Sequence, residues 1–115
     1  MHELSIATSI VETVLQEIAQ KKLPLVQTIA VRIGALNAVD PEALRFGFDA
    51  IISDTPLSKT KLEIELVPVR GKCRACGQEF AVEDFVFACP LCQSGEIEVT
   101  GGEELDIAYL EVEET

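Results

Sequence analysis

The four cysteines constrain the fold of this chain more than any other feature. They form two Cys-x-x-Cys pairs, Cys73 with Cys76 and Cys89 with Cys92, and twelve residues separate the pairs. Two intervening residues allow a tight turn to direct both thiols of a pair at one centre, and two such turns build a tetrahedral thiolate cage. The spacing lies slightly below the zinc-ribbon range of about 15–20 residues. We therefore predict a metal site with a structural role, because a cage with all four positions filled leaves no position for a substrate.

Zinc is the expected ion, and iron is its main competitor. Cys-x-x-Cys-Gly followed by Cys-Pro-x-Cys also resembles rubredoxin, an iron electron carrier. Against iron, Gln93 stands where rubredoxin usually has glycine, and a long helical half has no place in that small fold. Phe80, Phe85 and Phe87 lie between the cysteine pairs, and we expect them to form a miniature core that depends on the metal.

The composition indicates a folded, strongly acidic protein. The chain has 115 residues, of which 48% are hydrophobic, and a formal net charge of −11. This length allows one domain and a small metal-stapled lobe. A phosphate backbone would repel such a surface, so we expect no nucleic-acid partner. No Lys or Arg follows Arg74, and the acidic end is interpreted as a solubilising face, with a basic partner or a cation as the alternative.

The N-terminus shows no features of a secretion signal. It begins Met-His-Glu-Leu-Ser, with no basic start and no apolar core. No apolar stretch approaches the roughly 18–20 residues of a membrane span. We therefore expect a cytoplasmic protein, and in that compartment paired cysteines more often hold metal than form disulfides.

Apolar periodicity predicts two helices. Residues 4–20 repeat apolar side chains at helical spacing, and Leu23-Pro24 is expected to end this helix. A second helix is predicted to begin at Asp40-Pro41-Glu42, with Asp40 as N-cap and Pro41 in the first helical position. Its predicted buried stripe ends at Ile52.

Alternating apolar residues predict the strands. We expect strands over 28–33, 61–69 and 105–112, and a short strand at Ile97 and Val99 that returns to the main body. The predicted fold is α+β, with two helices packed on a small three-stranded sheet and an inserted zinc-ribbon lobe that carries the four cysteines. The predicted domains are 1–70 with 96–115 for the main body and 71–95 for the lobe.

The single histidine of the chain, His2, directly follows the initiator Met1. A terminal histidine commonly has no role, and this is one interpretation. The other is chelation: the α-amine of Met1, the His2 amide nitrogen and the His2 imidazole can form adjoining rings around one ion. Deprotonated amide nitrogens favour square-planar Ni²⁺ or Cu²⁺ over Zn²⁺. Glu3 adds a carboxylate and a further amide nitrogen to this exposed, exchangeable site.

Several motifs occur together in one order. They are Met1-His2-Glu3-Leu4, Val31-Arg32-Ile33-Gly34, Asp40-Pro41-Glu42-Ala43-Leu44-Arg45-Phe46 and the two cysteine pairs. In this combination the chain resembles the HypA/HybF family of nickel-maturation factors for [NiFe] hydrogenases. The resemblance covers nearly the whole chain.

The resemblance implies a nickel metallochaperone that binds transferable Ni²⁺ at Met1, His2 and Glu3. It also implies a structural Zn²⁺ at Cys73, Cys76, Cys89 and Cys92. The expected partners are the GTPase HypB and the hydrogenase large-subunit precursor, and relatives in some bacteria also serve urease and its maturation proteins. Some relatives place histidines beside the zinc cysteines, but this chain has none there.

No enzymatic activity is expected. The only histidine is terminal, so it forms no Ser–His pairing, and the sequence contains no Gly-rich phosphate loop. Any nucleotide dependence should then reside in a partner. Two alternative functions remain from the residues alone: a zinc-ribbon adaptor whose acidic surface binds a basic partner, and a rubredoxin-like iron electron carrier.

Overall fold

The computed structural model describes residues 3–113, which form an α+β fold with two α-helices and two three-stranded sheets. In chain order the elements are α1 (Glu3–Lys21), β1 (Val26–Gly34), a 3-10 helix (Ala35–Asn37), α2 (Pro41–Ile52), β2 (Lys61–Val67), β3 (Arg70–Cys73), β4 (Glu79–Ala81), β5 (Ile97–Gly101) and β6 (Leu105–Val112). The strand orders are β2-β1-β6 and β4-β3-β5. In the described part of the chain, no helix is long and apolar enough to cross a membrane.

The chain divides into two compact units. Among the described residues, unit 1 comprises 3–32, 39–65 and 106–113, and unit 2 comprises Ile33–Ala38 and Leu66–Leu105. The predicted lobe, 71–95, lies inside unit 2, which also includes ten residues after it and short segments before it. Cysteine spacing alone gave no information about these flanking segments.

Helix α1 forms where the apolar periodicity predicted it. Its buried face is Ile6, Ala7, Ile10, Val11 and Val14. The helix ends in a Schellman-type arrangement: Lys22 takes a left-handed φ of 51°, and the Leu23 N–H donates to the Ile18 carbonyl at 3.2 Å. The predicted stop at Leu23-Pro24 is therefore correct to within two residues.

Helix α2 begins at the predicted cap. The Asp40 carboxylate accepts hydrogen bonds from the backbone N–H groups of Glu42, at 3.0 Å, and Ala43, at 3.4 Å. Pro41 occupies the first turn, where its missing N–H costs no helical hydrogen bond. Gly47 is buried, and a Cβ there would make only ordinary contacts, the nearest with Leu4 Cδ1 at 3.4 Å, so this position could also hold alanine.

Strand β1 is central in the first sheet. The predicted alternating set, Ile29, Val31 and Ile33, is buried, but so are Thr28 and Ala30. Since neighbouring strand residues point to opposite faces, this run shows that both faces of β1 are covered. The alternation of apolar residues alone predicted a strand with only one buried face.

The second sheet corrects two strand predictions. The predicted strand 61–69 ends at Val67, and after Pro68 the chain enters β3, which belongs to the other sheet. The segment at Ile97 and Val99 does not return to the main body. It pairs antiparallel with β3, with Val99 opposite Gly71 and Ile97 opposite Cys73. Gly71 permits this pairing, because a Cβ there would lie 2.7 Å from Ile97 Cγ2.

Candidate metal centre

The four cysteines converge on one point. Their Sγ atoms all lie within 4.8 Å of one another. Cys73 Sγ is 3.6 Å from Cys92 Sγ, and Cys76 Sγ is 3.5 Å from Cys89 Sγ. A Zn–S distance of about 2.3 Å in tetrahedral geometry separates sulfurs by about 3.8 Å. The donor set therefore fits a tetrahedral thiolate metal such as zinc; a cage of four sulfurs also suits iron.

The two Cys-x-x-Cys turns repeat the same backbone hydrogen bonds. Cys73 N–H donates to Gln78 O, and the Gly77 N–H donates back to Cys73 O. In the second pair Cys89 N–H donates to the Ser94 carbonyl, and the Gln93 N–H donates to Cys89 O. Each turn thus holds its two sulfurs on the same side of a short loop.

Gln93 takes the backbone position that Gly77 takes in the first turn. Both residues lie in the left-handed region, Gly77 with φ of 80° and Gln93 with φ of 64°. Glycine adopts this conformation at no steric cost, whereas glutamine does so under strain. The departure from the rubredoxin pattern at Gln93 therefore alters the side chain without altering the turn.

Backbone N–H groups favour thiolates at one cysteine of each pair. The Cys76 backbone N–H lowers the pKa of Cys73. The Cys92 backbone N–H, 3.5 Å from Cys89 Sγ, lowers the pKa of Cys89 to about 6. Both cysteines are buried, so the fixed N–H donors replace water around the charge.

The other two cysteines keep their protons more tightly. The Gln78 backbone N–H lowers the pKa of Cys76, but the Cys89 sulfur, the desolvation of the thiol among the sulfurs, and the Cys73 and Cys92 sulfurs together outweigh it and raise the pKa to about 12. At Cys92 the Ser94 backbone N–H lowers the pKa, but the Cys73 sulfur, desolvation and the Cys89 sulfur together outweigh it, so the pKa is raised. In each close sulfur pair the backbone-bonded thiol, Cys73 or Cys89, is therefore the more acidic one. A divalent ion that binds all four sulfurs must displace the thiol protons.

The predicted aromatic core of the cysteine lobe is wrong in part. Phe80 is half-buried, but Phe85 and Phe87 are exposed. Val69 and Val82 are buried instead, and the Val82 N–H donates to the Val69 carbonyl at 2.8 Å. Val82, from the interval between the cysteine pairs, is buried together with Val69 from the flanking chain, whereas Phe85 lies in a turn with positive φ.

Of the three predicted nickel residues, the structure describes one. Met1 and His2 lie outside the described residues. Glu3 is half-buried at the start of α1, and its carboxylate accepts a hydrogen bond from the Asp40 backbone N–H at 3.1 Å. The sequence predicts Asp40 only as an N-cap. Its second role, as an anchor for the start of α1, could not be derived because it depends on how α1 and α2 pack in unit 1.

The motif around Arg32 also has a structural explanation that the sequence did not give. The Arg32 guanidinium binds the Asp106 carboxylate through Nε at 3.2 Å and Nη2 at 3.0 Å. This two-point contact links the central strand β1 to the edge strand β6. Both side chains are about half exposed, so the ion pair fixes register more than it adds stability.

Comparison with known proteins identifies the family. The family model described as "Hydrogenase/urease nickel incorporation, metallochaperone, hypA" matches residues 1–112. The hydrogenase maturation factor HypA of Desulfitobacterium hafniense is 40% identical over 114 residues, which cover 99% of this chain and 100% of that protein. The HypA protein of Geobacter metallireducens is 41% identical over 113 residues, 98% of this chain and 100% of its own length.

Solved structures show the same fold. The solution structure of the Ni metallochaperone HypA from Helicobacter pylori matches with a TM-score of 0.67 at 23% identity, over 97% of each chain. A second HypA solution structure matches with a TM-score of 0.72 at 22% identity, over 97% of this chain and 96% of the other. With both kinds of match spanning nearly every residue, this chain belongs to the HypA family of hydrogenase/urease nickel-incorporation metallochaperones, which are maturation factors and not enzymes.

Proposed function

We propose that this protein binds one Ni²⁺ ion at its N-terminus, through Met1, His2 and Glu3, and delivers it to the large-subunit precursor of a [NiFe] hydrogenase. The observation that supports this most is the family match, which begins at residue 1 and so includes the Met-His-Glu start. Delivery is ligand exchange into a better site, and no bond of a substrate is broken.

The start of α1 suits a chelate of backbone nitrogens. The first four N–H groups of an α-helix are not used by the helix's own hydrogen bonds. The Glu3 carboxylate accepts from the Asp40 N–H, so this side chain ties the start of α1 to the cap of α2. We infer that the Met1 amine, the His2 imidazole and the amide nitrogens of His2 and Glu3 supply the nickel donors.

The cysteine cage has a different task. We propose that Cys73, Cys76, Cys89 and Cys92 hold Zn²⁺ permanently. Zinc with four thiolates has no open position, so it supplies cross-linking and no chemistry. The residues of unit 2 then form a stable surface beside the cage, while the predicted nickel ligands belong to the start of the chain.

We propose two kinds of partner. A HypB-type GTPase would supply nucleotide dependence, since this chain lacks a phosphate-binding loop. The hydrogenase large-subunit precursor would receive the ion. Urease maturation proteins are a second set of clients, in keeping with the hydrogenase/urease description of the family.

A transfer experiment tests this function. Untagged protein loaded with one equivalent of ⁶³Ni²⁺ is mixed with purified large-subunit precursor, and the label in each protein is counted after separation. We expect label to move to the precursor from the wild type, and neither loading nor transfer with His2→Ala. Precursor labelling that is equal with the variant would contradict the proposed ligands.

The two alternative functions differ in measurable ways. An adaptor with a zinc ribbon would hold one zinc and would not bind Ni²⁺ in the same loading step. An iron carrier would be red and contain iron after native expression, because thiolate–iron charge transfer absorbs visible light. Colourless protein with one zinc per chain and one exchangeable nickel would exclude both.

A further inference from the structure

Four large apolar side chains near the cysteine cage are exposed to solvent. Phe85 is 62% exposed, Val86 61%, Phe87 37% and Leu91 71%. They fall within seven consecutive positions of unit 2, between and within the cysteine pairs. We refer to these four residues as the apolar tip. Single exposed apolar residues are ordinary, but four of them within seven positions are more than solvation requires, and an exposed apolar set of this kind is typical of an interaction surface.

The backbone of the tip is strained in a way that displays Phe85. The Val86 N–H donates to the Glu83 carbonyl at 3.0 Å, which closes a four-residue turn. Its two central residues, Asp84 and Phe85, both have positive φ, 52° and 57°. Turns of this kind favour Gly, Asn and Asp, and a bulky aromatic residue there is an outlier. Such strain is concentrated at functional sites, where a side chain must be presented.

The segment that carries Phe85, Val86 and Phe87 is anchored at both ends. Val82 is buried, and its N–H donates to Val69 O. Cys89 is buried, is a predicted metal ligand, and donates its N–H to the Ser94 carbonyl. A partner that binds the tip therefore has little chain left to order, and this lowers the entropic cost of association.

The charges around the tip define the partner. Glu83 and Asp84 directly precede Phe85, and every charged residue after Arg74 is acidic. Lys72 is the nearest strand cation before the tip in sequence. Its cross-strand neighbour in the β3–β4 pairing is the acidic residue Glu79. Two copies meeting through this surface would bring like charges together, on a chain of net charge −11. The apolar tip and its acidic neighbours are instead complementary to a partner groove that has an apolar floor and a rim of Lys or Arg.

We propose that the apolar tip docks into an apolar groove with a basic rim on the protein that receives nickel, with Phe85 as the central anchor. The proposal rests on the proposed function, because that function names the hydrogenase large-subunit precursor as the receiver. Aromatic anchors in the middle of an interface contribute most of the binding energy, and the flanking acids select a basic rim.

Phe85→Asn is the decisive variant. Asparagine is favoured at positive φ, so it relaxes the turn while removing the ring. Leu91→Ser removes a second member of the tip. Phe46→Ser is the matched control, because Phe46 is 79% exposed but lies in α2, in unit 1. The affinity of each untagged protein for the purified large-subunit precursor is measured by calorimetry in low and high salt, alongside its zinc content and nickel binding.

We expect Phe85→Asn and Leu91→Ser each to weaken precursor binding at least about tenfold, and Phe46→Ser to change it less than about twofold. Zinc and nickel contents should match the wild type, and high salt should weaken wild-type binding. The proposal is overturned if Phe85→Asn binds as the wild type does, if the control is weakened equally, or if the tip variants instead abolish a dimer of this chain. Loss of wild-type nickel binding would overturn the proposed function separately, since that is read in the same samples.

Discussion

Tyr109 on β6 lies in an acidic environment that should be measurable directly. Its hydroxyl donates to Glu63 Oε2 at 3.3 Å. The negative charge of Glu63 is the main cause that raises the pKa of Tyr109 above its usual 10.0, and burial and the charges of Glu111 and Glu65 add to it. Ionised carboxylates disfavour a nearby phenolate.

This shift gives the first prediction. The chain has one Tyr and no Trp, so absorbance at 295 nm follows Tyr109 alone. The titration midpoint should lie above 10, and Glu63→Gln should lower it. Between the unfolded and folded pKa values the folded state keeps a proton that the unfolded state loses, so stability should fall as pH rises above 10. A wild-type midpoint at or below 10, or no change in the variant, would contradict this assignment.

Gly102 is a second position where one residue decides the local structure. Its φ is 108°, and a Cβ would lie 2.8 Å from Val69 Cα. Gly102→Ala therefore adds both backbone strain and a clash with main chain that cannot move aside, and we predict a loss of roughly 1–3 kcal/mol in the free energy of unfolding. Gly95→Ala is the control, since a Cβ there meets nothing within 4 Å. Equal stabilities for the two variants in urea unfolding would show that the contact at Gly102 is not tight.

At the scale of elements, the cap of α2 links the helix to the start of α1. The Asp40 carboxylate caps α2, and its backbone N–H binds Glu3. We predict that Asp40→Ala lowers the free energy of unfolding by about 1 kcal/mol, whereas Asp40→Asn stays close to the wild type because it keeps a capping oxygen. Thermal unfolding followed at 222 nm measures both. If Asp40→Asn were as unstable as Asp40→Ala, charge rather than the cap would be responsible.

Long periodic elements could be predicted from the sequence, and short ones could not. Helix α1, the cap of α2 at Asp40 and strand β6 all lie where apolar spacing and capping residues indicated. Strands β3 and β4 have four and three residues, too few to show a period. The strand at Ile97 was predicted, but it was assigned to the wrong sheet, because its pairing partner is the short strand β3, which the sequence did not reveal.

At the scale of the whole molecule, the cysteine cage should matter to one unit more than the other. We predict that Cys73→Ser releases most of the bound metal and speeds amide hydrogen exchange in unit 2. Both helices lie in unit 1 with their own buried faces, so most of the 222 nm signal should remain. Ala75→Ser, within the same turn but not a ligand, is the control. Global loss of helical signal in Cys73→Ser would show that the units do not fold separately.

Acid should remove metal from the cage. The four sulfurs bind only as thiolates, and Cys76 and Cys92 hold their protons most tightly. Lowering the pH favours the protonated thiols, so zinc release into a chromogenic chelator should rise as pH falls and reverse on neutralisation. Release that does not depend on pH would contradict a cage made of four thiolates.

For the candidate site, as for the fold, some features could be predicted from the sequence and others could not. The convergence of the four sulfurs could be predicted, because each Cys-x-x-Cys turn fixes the geometry of its own pair. The surroundings of the cage could not, since the exposure of Phe85 and Phe87 depends on a strained turn that composition does not reveal. The role of His2 rests on chain chemistry and on family membership.

The central claim is that a transferable ion binds at the free amino end while a separate ion stays in the cage. Nickel titration by calorimetry, on untagged zinc-loaded protein, tests it most directly, with His2→Ala and an N-terminally acetylated sample alongside. We predict one Ni²⁺ per chain in the wild type, none in either altered sample, and one zinc retained in all three. Nickel bound equally by all three proteins, or bound only as zinc leaves the cysteines, would contradict it.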